Sequence, residues 1–473
     1  MAHESIDLVV IGAGPAGLAA ATAAAAQGTS VVLLDEQATP GGQIYRSITR
    51  TSPERLAALG PDYAAGAALT DAFIASAARH EGEAAVWQIT RNRIVHYIQH
   101  GKTKALQAQR VIVCTGALER PFPIPGWTLP GVLTAGAAQI LLKSAGAVPA
   151  EPVILAGCGP LLYLLGSQYI RAGVPIRAIV DTTDASDYRR ALPHLAGAIA
   201  GWPLLKKGWS LMRALKRAGV PFYKGARALA VEGGETAAGL RFELRGVTHR
   251  LSAKVVLLHQ GVVPHTQFTW SLRAHHRWDA NQLCWTPSVD VWGELDVPGI
   301  FVAGDSRGIG GAQAAAEQGR IAALAALCSM GKIDAASRDQ LAKGSFQALR
   351  CVLRIRPFLD ALYRPKHQNR VPADDVIVCR CEEITAGDLR RIVELGCLGP
   401  NQAKSFSRCG MGPCQGRQCG LSVTEIIADQ RGVSPTPVGY YRIRPPIKPL
   451  TLAELASAED APAEHGTMSH DGN

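Results

Sequence analysis

The chain has 473 residues, of which 47% are hydrophobic and 19% charged, and a formal net charge of +10. This length is too great for one hydrophobic core and predicts two to four domains of ordinary globular composition. No basic region precedes an apolar run at the amino terminus, so no secretory signal is predicted, and the eleven cysteines indicate metal or redox chemistry in a reducing compartment rather than disulfides.

Two basic segments carry much of the positive charge. Residues 203–227 contain seven Lys/Arg and no acidic residue, and residues 338–370 contain eight Lys/Arg and two Asp. Each segment is either a docking surface for an acidic partner or cofactor phosphate, or a solvated helix face, and both interpretations are kept. Nucleic-acid binding is not predicted, because no stacking-aromatic pattern or binding motif accompanies the charge.

A dinucleotide-binding motif lies near the start of the chain. The apolar strand Leu8 to Ile11 runs into Gly12-Ala13-Gly14-Pro15-Ala16-Gly17 and then into an alanine-rich helix. Glycines at this spacing permit a tight turn, a close approach of pyrophosphate and close packing of helix on strand, and the helix amino terminus faces the phosphates. The glycine-rich break also makes strand, turn and helix a better interpretation of residues 6–26 than a membrane span.

Later segments suit the same nucleotide. A second strand, Ser30 to Leu34, ends at Asp35, where a carboxylate can accept a hydrogen bond from a ribose hydroxyl, and the adjacent Glu36 is the alternative. Three more segments follow this strand in the chain: Pro40-Gly41-Gly42-Gln43, Val111 to Gly116, and Gly299 to Asp305.

Together these segments resemble the two-dinucleotide-binding-domain flavoproteins of the glutathione and thioredoxin reductase superfamily, over roughly Asp7 to Ala326. The resemblance implies an α/β fold that binds FAD, with Asp305 holding the ribityl chain and the helix from about Gly310 aimed at the flavin ring. The alternative for Asp305 is a helix cap or turn residue. The residues expected to contact FAD are Gly12, Gly14, Pro15, Ala16, Gly17, Asp35, Glu36, Gly42, Gln43, Thr115, Gly116, Gly304, Asp305 and Gln313.

A second nucleotide motif is imperfect. Gly157-Cys158-Gly159-Pro160-Leu161-Leu162 follows an apolar strand, and the next strand ends at Asp181. This region resembles the inserted nicotinamide domain of the same superfamily, but Leu162 stands where Gly or Ala would allow close helix packing. The ligand is left open between NAD(P), a mononucleotide and none. His259 and His265, which flank the return strand, are interpreted as strand-end residues.

Six cysteines lie in the last quarter of the chain, and five of them fall in two close groups. The strand Val376 to Val378 delivers Cys379 and Cys381, and Cys409, Cys414 and Cys419 follow in a glycine-rich run. Such thiolate spacing is typical of an iron–sulfur cluster; zinc is the rival metal, although structural zinc prefers C-x2–4-C pairs. The other six cysteines are predicted to be core residues.

Two ligand sets compete for the cluster. The set Cys379, Cys381, Cys414 and Cys419 resembles the bacterioferritin-associated-ferredoxin-like (BFD-like) [2Fe–2S] domain better, since its second pair sits just before a helix. Cys409 is then a spare or a replacement ligand. The second set is Cys379, Cys381, Cys409 and Cys414.

The predicted domains follow these motifs along the chain. They are a discontinuous FAD-binding domain (1–135 and 285–335), an inserted degenerate NAD(P)-type Rossmann domain (150–270), a basic connector (336–372), the BFD-like domain (373–433) and a carboxy-terminal tail (434–473). The part of the tail after Ser457 is expected to be disordered.

The order of flavin fold, degenerate Rossmann fold and CRCEE…RCGMGPCQGRQC resembles the α-type subunits of heteromeric bacterial amine dehydrogenases: the opine (octopine and nopaline) oxidases, hydrogen cyanide synthase, and proline and hydroxyproline dehydrogenases. The resemblance spans Ile6 to about Tyr441, and Pro40 to Arg46 looks most like the opine-oxidase branch. It implies an electron-transferring subunit with FAD and a [2Fe–2S] cluster, and it is compatible with FMN at a subunit interface.

The same resemblance implies the partners. A β subunit with an amino-acid-oxidase fold would oxidise the C–N bond of the substrate, with or without a small third subunit, and electrons would pass to a quinone or other acceptor. The chain would be cytoplasmic, free or membrane-associated through its complex. No catalytic acid or base is assigned. The alternatives are a stand-alone NAD(P)H-dependent flavin and iron–sulfur reductase, and a non-enzymatic cluster-bearing scaffold.

Overall fold

The computed structural model describes residues 4–457. Its first segment ends at residue 119 and holds the amino-terminal nucleotide motif. The elements of this segment are β1 (Glu4–Ile11), α1 (Pro15–Ala25), β2 (Val31–Leu34), α2 (Pro53–Leu59), α3 (Pro61–Ala64), α4 (Ala67–Ile74), β3 (Arg79–Glu81), β4 (Ala85–Ile89), β5 (Ile94–Gln99), β6 (Lys102–Val113) and β7 (Ala117–Glu119).

The second segment holds the imperfect nucleotide motif. Its elements are β8 (Val132–Thr134), α5 (Ala135–Ala145), β9 (Val153–Gly157), α6 (Pro160–Arg171), β10 (Ile176–Asp181), α7 (Ala185–Ala191), α8 (Leu195–Ala200), α9 (Trp202–Arg217), β11 (Phe222–Lys224), β12 (Arg227–Gly233), β13 (Ala237–Leu244), β14 (Val247–Ser252), β15 (Val255–His259) and β16 (Val262–Pro264).

The chain then returns to the first sheet and continues into the cysteine-rich module. The return elements are α10 (Gln267–Ser271), β17 (His276–Asp279), β18 (Cys284–Pro287), β19 (Ile300–Val302), α11 (Ala312–Ser329), α12 (Ala335–Leu353) and α13 (Arg356–Leu362). The module elements are β20 (Ile377–Cys379), β21 (Ile384–Thr385), α14 (Ala386–Glu394), α15 (Pro400–Ser407), α16 (Gly420–Gln430), α17 (Pro435–Val438) and α18 (Leu452–Ala456).

The first sheet has the strand order β3-β2-β1-β6-β5-β4, and β19 pairs with β6. The pairings β1–β2, β1–β6 and β6–β19 are parallel, which explains why the second half of β1, Leu8 to Ile11, and the whole of β2 are continuous apolar runs. Helices cover both faces of this parallel part. On one face α11 lies directly on α1, because a Cβ on Gly319 would come within 2.0 Å of the carbonyl oxygen of Ala16.

The second sheet is parallel throughout, in the order β11-β10-β9-β15-β8. Its first strand in the chain, β8, precedes the predicted domain start at residue 150. The antiparallel sheet β12-β13-β14 lies beside it, and the pair β7–β16 links the two domains. The predicted fold class, α/β with two dinucleotide-binding folds, agrees with this topology.

Part of the segment 434–457 is packed against the body of the protein, although the sequence assigned the segment to a tail. Tyr441, Ile443 and Ile447 are buried in the same core as the cysteine module and part of the first sheet. The Ile447 N–H donates to the carbonyl oxygen of Trp87 at 3.1 Å. The disorder predicted after Ser457 falls outside the described residues. In the described part of the chain, no helix is long and apolar enough to cross a lipid bilayer.

Candidate redox centre

Three buried cysteines converge in the carboxy-terminal module. The Sγ atoms of Cys379, Cys409 and Cys419 all lie within 4.8 Å of one another, and each residue is at most 1% exposed. The thiols of Cys409 and Cys419 hydrogen-bond to the sulfur of Cys379 and lower the pKa of Cys379 to about 2. A buried site with a ready thiolate is suited to a soft metal centre.

Cys381 and Cys414 meet at the outer edge of the same site. Cys381 is exposed and lies against Cys414, whose backbone N–H and thiol both contact it, while burial of part of the side chain raises the Cys381 pKa. Gly412 permits this approach, because a Cβ there would come within 2.2 Å of the Cys381 Cβ atom.

The arrangement differs from both predicted ligand sets. Neither set contains both Cys409 and Cys419, yet the structure places both against Cys379. The reason is local: Arg408, Gly410, Gln415 and Gly416 all have positive φ, so the loop folds back on itself and presents both thiols inward. Linear spacing carries no information about such a reversal.

The six single cysteines differ in burial, and not all of them are core residues as predicted. Cys114, Cys158, Cys284 and Cys397 are buried. Cys328 is half-buried and Cys351 is exposed on α12, so the predicted core position was wrong for these two residues.

Tyr441 is a site residue that the sequence analysis missed. Its side chain is fully buried, and its hydroxyl donates to the Cys409 carbonyl oxygen at 3.1 Å and lies 3.4 Å from Cys409 Sγ and 3.8 Å from Cys419 Sγ. Burial raises the pKa of Tyr441 well above its ordinary value, so the hydroxyl stays a donor. Only the packing of the carboxy-terminal segment brings it there, since it lies 22 residues beyond Cys419.

The thiol site also lies at the start of a helix, as expected for the second cysteine pair. Cys419 is the N-cap residue of α16, which is 11 residues long. The Cys419 side chain therefore lies at the amino-terminal end of this helix. The partial positive charge at that end stabilises negative charge on sulfur.

A basic cavity of about 780 Å³ opens beside the thiol cluster. Its lining residues, none of them acidic, are Asn401, Lys404, Ser405, Arg408, Met411, Gln415, Arg442, Ile443 and Arg444. Burial lowers the pKa of Lys404, whose ammonium lies 4.7 Å from the centre of the Tyr441 ring. Four cations around a polar cavity of this size suit a phosphate-bearing ligand.

The first nucleotide fold retains space and charge for a dinucleotide. A Cβ on Gly14 would meet only Gly42, at 4.0 Å, so the second glycine of the motif faces an open approach. The Arg46 guanidinium has two buried nitrogen atoms without a hydrogen-bond partner, and burial lowers its pKa. Two buried guanidinium nitrogens without a hydrogen-bond partner, on a side chain that interacts with Asp35, are what a pyrophosphate would satisfy, so the residues present fit FAD.

The two acidic residues after β2, Asp35 and Glu36, have different partners. Asp35 accepts hydrogen bonds from the N–H groups of Ala13 at 2.5 Å and Gln37 at 2.7 Å, and burial raises its pKa. Glu36 is half exposed and forms an ion pair with Lys448, which sequence analysis did not foresee. Lys448 comes from the packed carboxy-terminal segment, and burial lowers its pKa to about 8.

The other predicted FAD residues lie along the same edge of the first sheet. Asp305 accepts hydrogen bonds from the N–H groups of Gly310 at 2.8 Å and Gly311 at 2.9 Å, which is the turn role kept as its alternative. Gln313 lines a cavity of about 380 Å³ with Tyr45. The Thr115 hydroxyl donates to the carbonyl oxygen of His265 at 3.2 Å.

The second nucleotide fold is closed by the chain itself. The His259 ring lies 3.2 Å from where a Cβ of Gly159 would be, and its Nδ1 is 2.6 Å from a Glu119 carboxylate oxygen. The buried Asp181 accepts from the Tyr163 hydroxyl at 2.5 Å and the Thr183 N–H at 2.8 Å. The groups that should contact pyrophosphate and ribose are therefore already partnered.

The basic connector also covers part of the second nucleotide fold. Lys366 reaches Asp184 at 3.1 Å and Asp187 at 2.5 Å, on the turn that follows β10. The Cys158 thiol, within the glycine-rich loop, donates to the carbonyl oxygen of Tyr363 at 3.5 Å. The segment after α13 thus covers the loop that would receive a nucleotide.

Comparison with known proteins follows the same division of the chain. Residues 6–179 match the family model described as pyridine nucleotide-disulphide oxidoreductase, and residues 375–459 match the sarcosine oxidase A3 domain. The opine oxidase A-subunit of Agrobacterium tumefaciens (strain Ach5) is 47% identical over 95% of this chain and 91% of its own length. The chain belongs to the opine oxidase A-subunit family.

One further comparison concerns a more distant relative, and another concerns the fold alone. Hydrogen cyanide synthase subunit HcnB of Pseudomonas aeruginosa is 30% identical over 94% of this chain and 97% of its own length. The crystal structure of L-proline dehydrogenase from P. horikoshii aligns with a TM-score of 0.69 at 18% identity, covering 96% of this chain and 80% of that one. The resemblance to α-type subunits and the predicted fold class are confirmed.

Proposed function

We propose that this member of the opine oxidase A-subunit family is the electron-transferring subunit of a heteromeric flavin dehydrogenase. The complex would oxidise the C–N bond of an opine, imino acid or amino acid. The observation that carries the proposal is a buried three-thiol cluster in the same chain as a dinucleotide fold with open phosphate space. Substrate oxidation is assigned to a partner β subunit with an amino-acid-oxidase fold, as the resemblance to the α-type subunits implies.

The proposed FAD site uses the residues predicted from the sequence, with Arg46 added. Gly14 leaves room for the pyrophosphate, Arg46 supplies an unpaired guanidinium, and the first turn of α1 adds backbone N–H donors. Asp35 or Glu36 would bind the ribose. Bound here, the flavin would supply two-electron acceptance and one-electron release.

The proposed cluster ligands are Cys379, Cys381, Cys414 and Cys419. Contacts support this set: Cys379 touches Cys419, and Cys381 touches Cys414, so each contact joins one member of the C-x-C to one of the C-x4-C. Cys409 and Tyr441 would then donate hydrogen bonds toward the ligand sulfurs. A [2Fe–2S] cluster held in this way would carry one electron at a time.

The basic cavity is the proposed place for a second, phosphate-bearing flavin. Lys404, Arg408, Arg442 and Arg444 supply the positive charge that an FMN phosphate needs. Exposed Leu398, Phe406 and Met411 lie in or near the same region of the module, which suits a contact with another subunit. The cavity would then be completed by the β subunit.

The alternative of a stand-alone NAD(P)H reductase is not favoured. It requires an accessible second nucleotide site, and His259, Tyr163 and Lys366 already occupy or satisfy the groups that would bind there. A non-enzymatic cluster-bearing scaffold is also not favoured, because it would have no use for the open phosphate space and the unsatisfied Arg46 nitrogens of the first nucleotide fold.

Co-expression with an amino-acid-oxidase-like subunit tests the proposal. The purified complex is expected to contain flavin and a [2Fe–2S] cluster, seen in the visible spectrum and by electron paramagnetic resonance after reduction. It is expected to reduce a dye when given an opine, proline or glycine. Material without flavin, or with zinc in place of iron, would refute the proposal; activity of this chain alone would place substrate oxidation here instead of in the partner.

A further inference from the structure

A row of tyrosine and tryptophan side chains leads away from the thiol cluster. Its members are Tyr441, Tyr440, Trp270, Trp285 and Trp278, here called the aromatic chain. The centres of consecutive rings are 5.8, 5.3, 5.7 and 5.6 Å apart. Rings at these separations are in direct contact, so the aromatic chain is continuous from its first member to its last.

The aromatic chain begins at sulfur. The Tyr441 hydroxyl lies 3.4 Å from Cys409 Sγ and 3.8 Å from Cys419 Sγ. The second ring is also close to the site, because a Cβ on Gly420 would come within 2.4 Å of the Tyr440 hydroxyl oxygen. An oxidising species that forms at the cluster would therefore meet a phenol before it reaches any other part of the aromatic chain.

The far end of the aromatic chain reaches the surface. Trp285 is buried, at 6% exposure, and lies opposite Trp278 in the antiparallel pair β17–β18. The Trp278 side chain is partly exposed. The aromatic chain thus joins a buried thiol site to a residue that solvent can contact.

Two indole groups within the aromatic chain contribute no hydrogen bond. The Nε1 atoms of Trp270 and Trp285 are buried and have no hydrogen-bond partner among the described residues. Such a group pays a desolvation cost that a phenylalanine ring would not. What indole and phenol rings add over phenylalanine is chemical, since they lose an electron to a strong oxidant far more readily.

Turnover of the cluster does not need this property. Iron–sulfur clusters gain and lose electrons at potentials well below those that oxidise tyrosine or tryptophan. Electrons from a substrate therefore leave the aromatic rings unchanged. The aromatic chain can act only when a much stronger oxidant appears at the cluster.

We propose that the aromatic chain protects the cluster by carrying oxidising equivalents from it to the protein surface. The oxidant is hydrogen peroxide, which takes one electron from a reduced iron and splits into hydroxide and a hydroxyl radical. The radical removes a hydrogen atom from the Tyr441 hydroxyl and becomes water. The inference goes beyond the proposed function but rests on it, since it requires the iron–sulfur cluster.

The later steps move one electron toward the cluster. It passes along the aromatic chain from Trp278 to the Tyr441 radical, which takes back a proton from the water just formed. Trp278 becomes a radical and gives its N–H proton to solvent. A thiol in solution can return a hydrogen atom to this radical; without thiol, the radical adds dioxygen and gives a stable oxygenated product.

Mass spectrometry of peptides tests the inference. The purified protein, with iron and acid-labile sulfide measured, is reduced, freed of reductant and mixed with hydrogen peroxide in air-saturated buffer without thiols. Trp278 is expected to gain more oxygen than Trp202 and Trp209, although these two are 62% and 57% exposed. They report what the bulk oxidant does by exposure alone.

The same treatment of protein with an oxidised cluster is the first control. It lacks the electron that splits peroxide, so the excess of oxygenation at Trp278 is expected to disappear. An excess that persists would show direct attack from solvent and overturn the inference. Protein that contains no iron–sulfur cluster would refute the proposed function, whereas protein with a reduced cluster and no excess at Trp278 would overturn only the inference.

Two variants interrupt the aromatic chain. Trp270→Phe and Tyr440→Phe each keep an aromatic ring, and each is expected to abolish the excess at Trp278 and to speed the loss of visible cluster absorbance in peroxide. Trp87→Phe is the matched control, because Trp87 is also buried with an unpaired indole nitrogen among the described residues but lies outside the aromatic chain. Equal cluster loss in Trp87→Phe, in variants whose melting temperatures match the parent, would overturn the inference.

Discussion

At the scale of single residues, the thiol site depends on hydrogen bonds as much as on spacing. The thiols of its two neighbours lower the pKa of Cys379, and the Tyr441 hydroxyl lies 3.4 Å from Cys409 Sγ and 3.8 Å from Cys419 Sγ. In cluster proteins, donors to sulfur stabilise the reduced, more negative state and so raise the reduction potential. Tyr441 is therefore expected to tune the cluster without ligating it.

Tyr441→Phe tests this role. The substitution removes the hydroxyl and keeps the buried ring, so the midpoint potential of the cluster is expected to fall while its iron content stays constant. A redox titration followed by electron paramagnetic resonance measures the change. Tyr440→Phe is the control, because the Tyr440 hydroxyl contacts the Gly416 carbonyl oxygen rather than a sulfur. Equal shifts in both variants would contradict the role.

Serine substitutions distinguish the cluster ligands from the spare cysteine. Cys414→Ser is expected to lose the [2Fe–2S] spectrum, because it removes a proposed ligand. Cys409→Ser is expected to retain the cluster with an altered potential, since Cys409 would act only as a hydrogen-bond donor. Iron and acid-labile sulfide analysis gives the readout. Cluster loss in Cys409→Ser with retention in Cys414→Ser would show that the structure's three-thiol grouping, rather than the predicted set, binds the metal.

Lys143 makes stability depend on pH. It is almost fully buried on α5, donates to Gln139 at 2.8 Å and the Gln43 carbonyl oxygen at 3.2 Å, and burial lowers its pKa to about 7. Between this value and the ordinary Lys pKa, the unfolded chain binds a proton that the folded chain does not, so the free energy of unfolding rises with pH. From pH 7 to 9 the gain from this group is about 2 kcal/mol.

Denaturant titrations at pH 7 and pH 9 check this effect. Lys143→Met is expected to reduce the difference between the two pH values, because the titrating group is gone. An unchanged difference would show that Lys143 keeps its proton in the folded state.

At the scale of elements, the carboxy-terminal segment joins two domains that the sequence treated as separate. Ile447 and Lys448 contact the FAD fold, while Tyr441 of the same segment contacts the thiol cluster. The connector plays a similar part at the second Rossmann fold, where Tyr363 and Lys366 cover the nucleotide loop. The segments predicted as a connector and a tail therefore both contact the nucleotide folds, and the connector covers the second one.

Truncation tests the carboxy-terminal segment. A chain that ends at residue 433 loses Tyr441, Ile443, Ile447 and Lys448, and is expected to unfold at lower temperature and to retain less flavin and iron. A chain that ends at residue 457 keeps every contact described above and is the control. Equal melting temperatures and equal cofactor content in the two chains would show that the segment is dispensable.

At the scale of the whole molecule, the two nucleotide folds differ. The first has free space beside Gly14 of its glycine-rich loop, whereas the loop of the second is contacted by His259 and covered by the connector. Under the proposed function, NADH and NADPH are therefore not expected to bind the second fold, and the flavin is expected to receive its electrons from the partner subunit. This agrees with a protein that receives electrons across an interface and passes them on.

Anaerobic mixing with NADH or NADPH tests this division. Flavin absorbance near its visible maximum is expected to stay constant, while dithionite bleaches it fully. An amine substrate added with the β subunit is expected to bleach it too. Rapid bleaching by either nicotinamide would show that the second fold opens and would revive the reductase alternative.

The sequence by itself determined the α/β fold, the two nucleotide motifs and the cysteine module, because glycine spacing, apolar runs and thiol clustering are local properties of the chain. Tertiary structure alone decided that Cys409 joins Cys379 and Cys419, that Tyr441 and Lys448 reach the two cofactor sites, and that the second fold is covered by the connector. These contacts join residues far apart in the chain. They depend on loop reversal and on packing between segments, which no periodicity or spacing records.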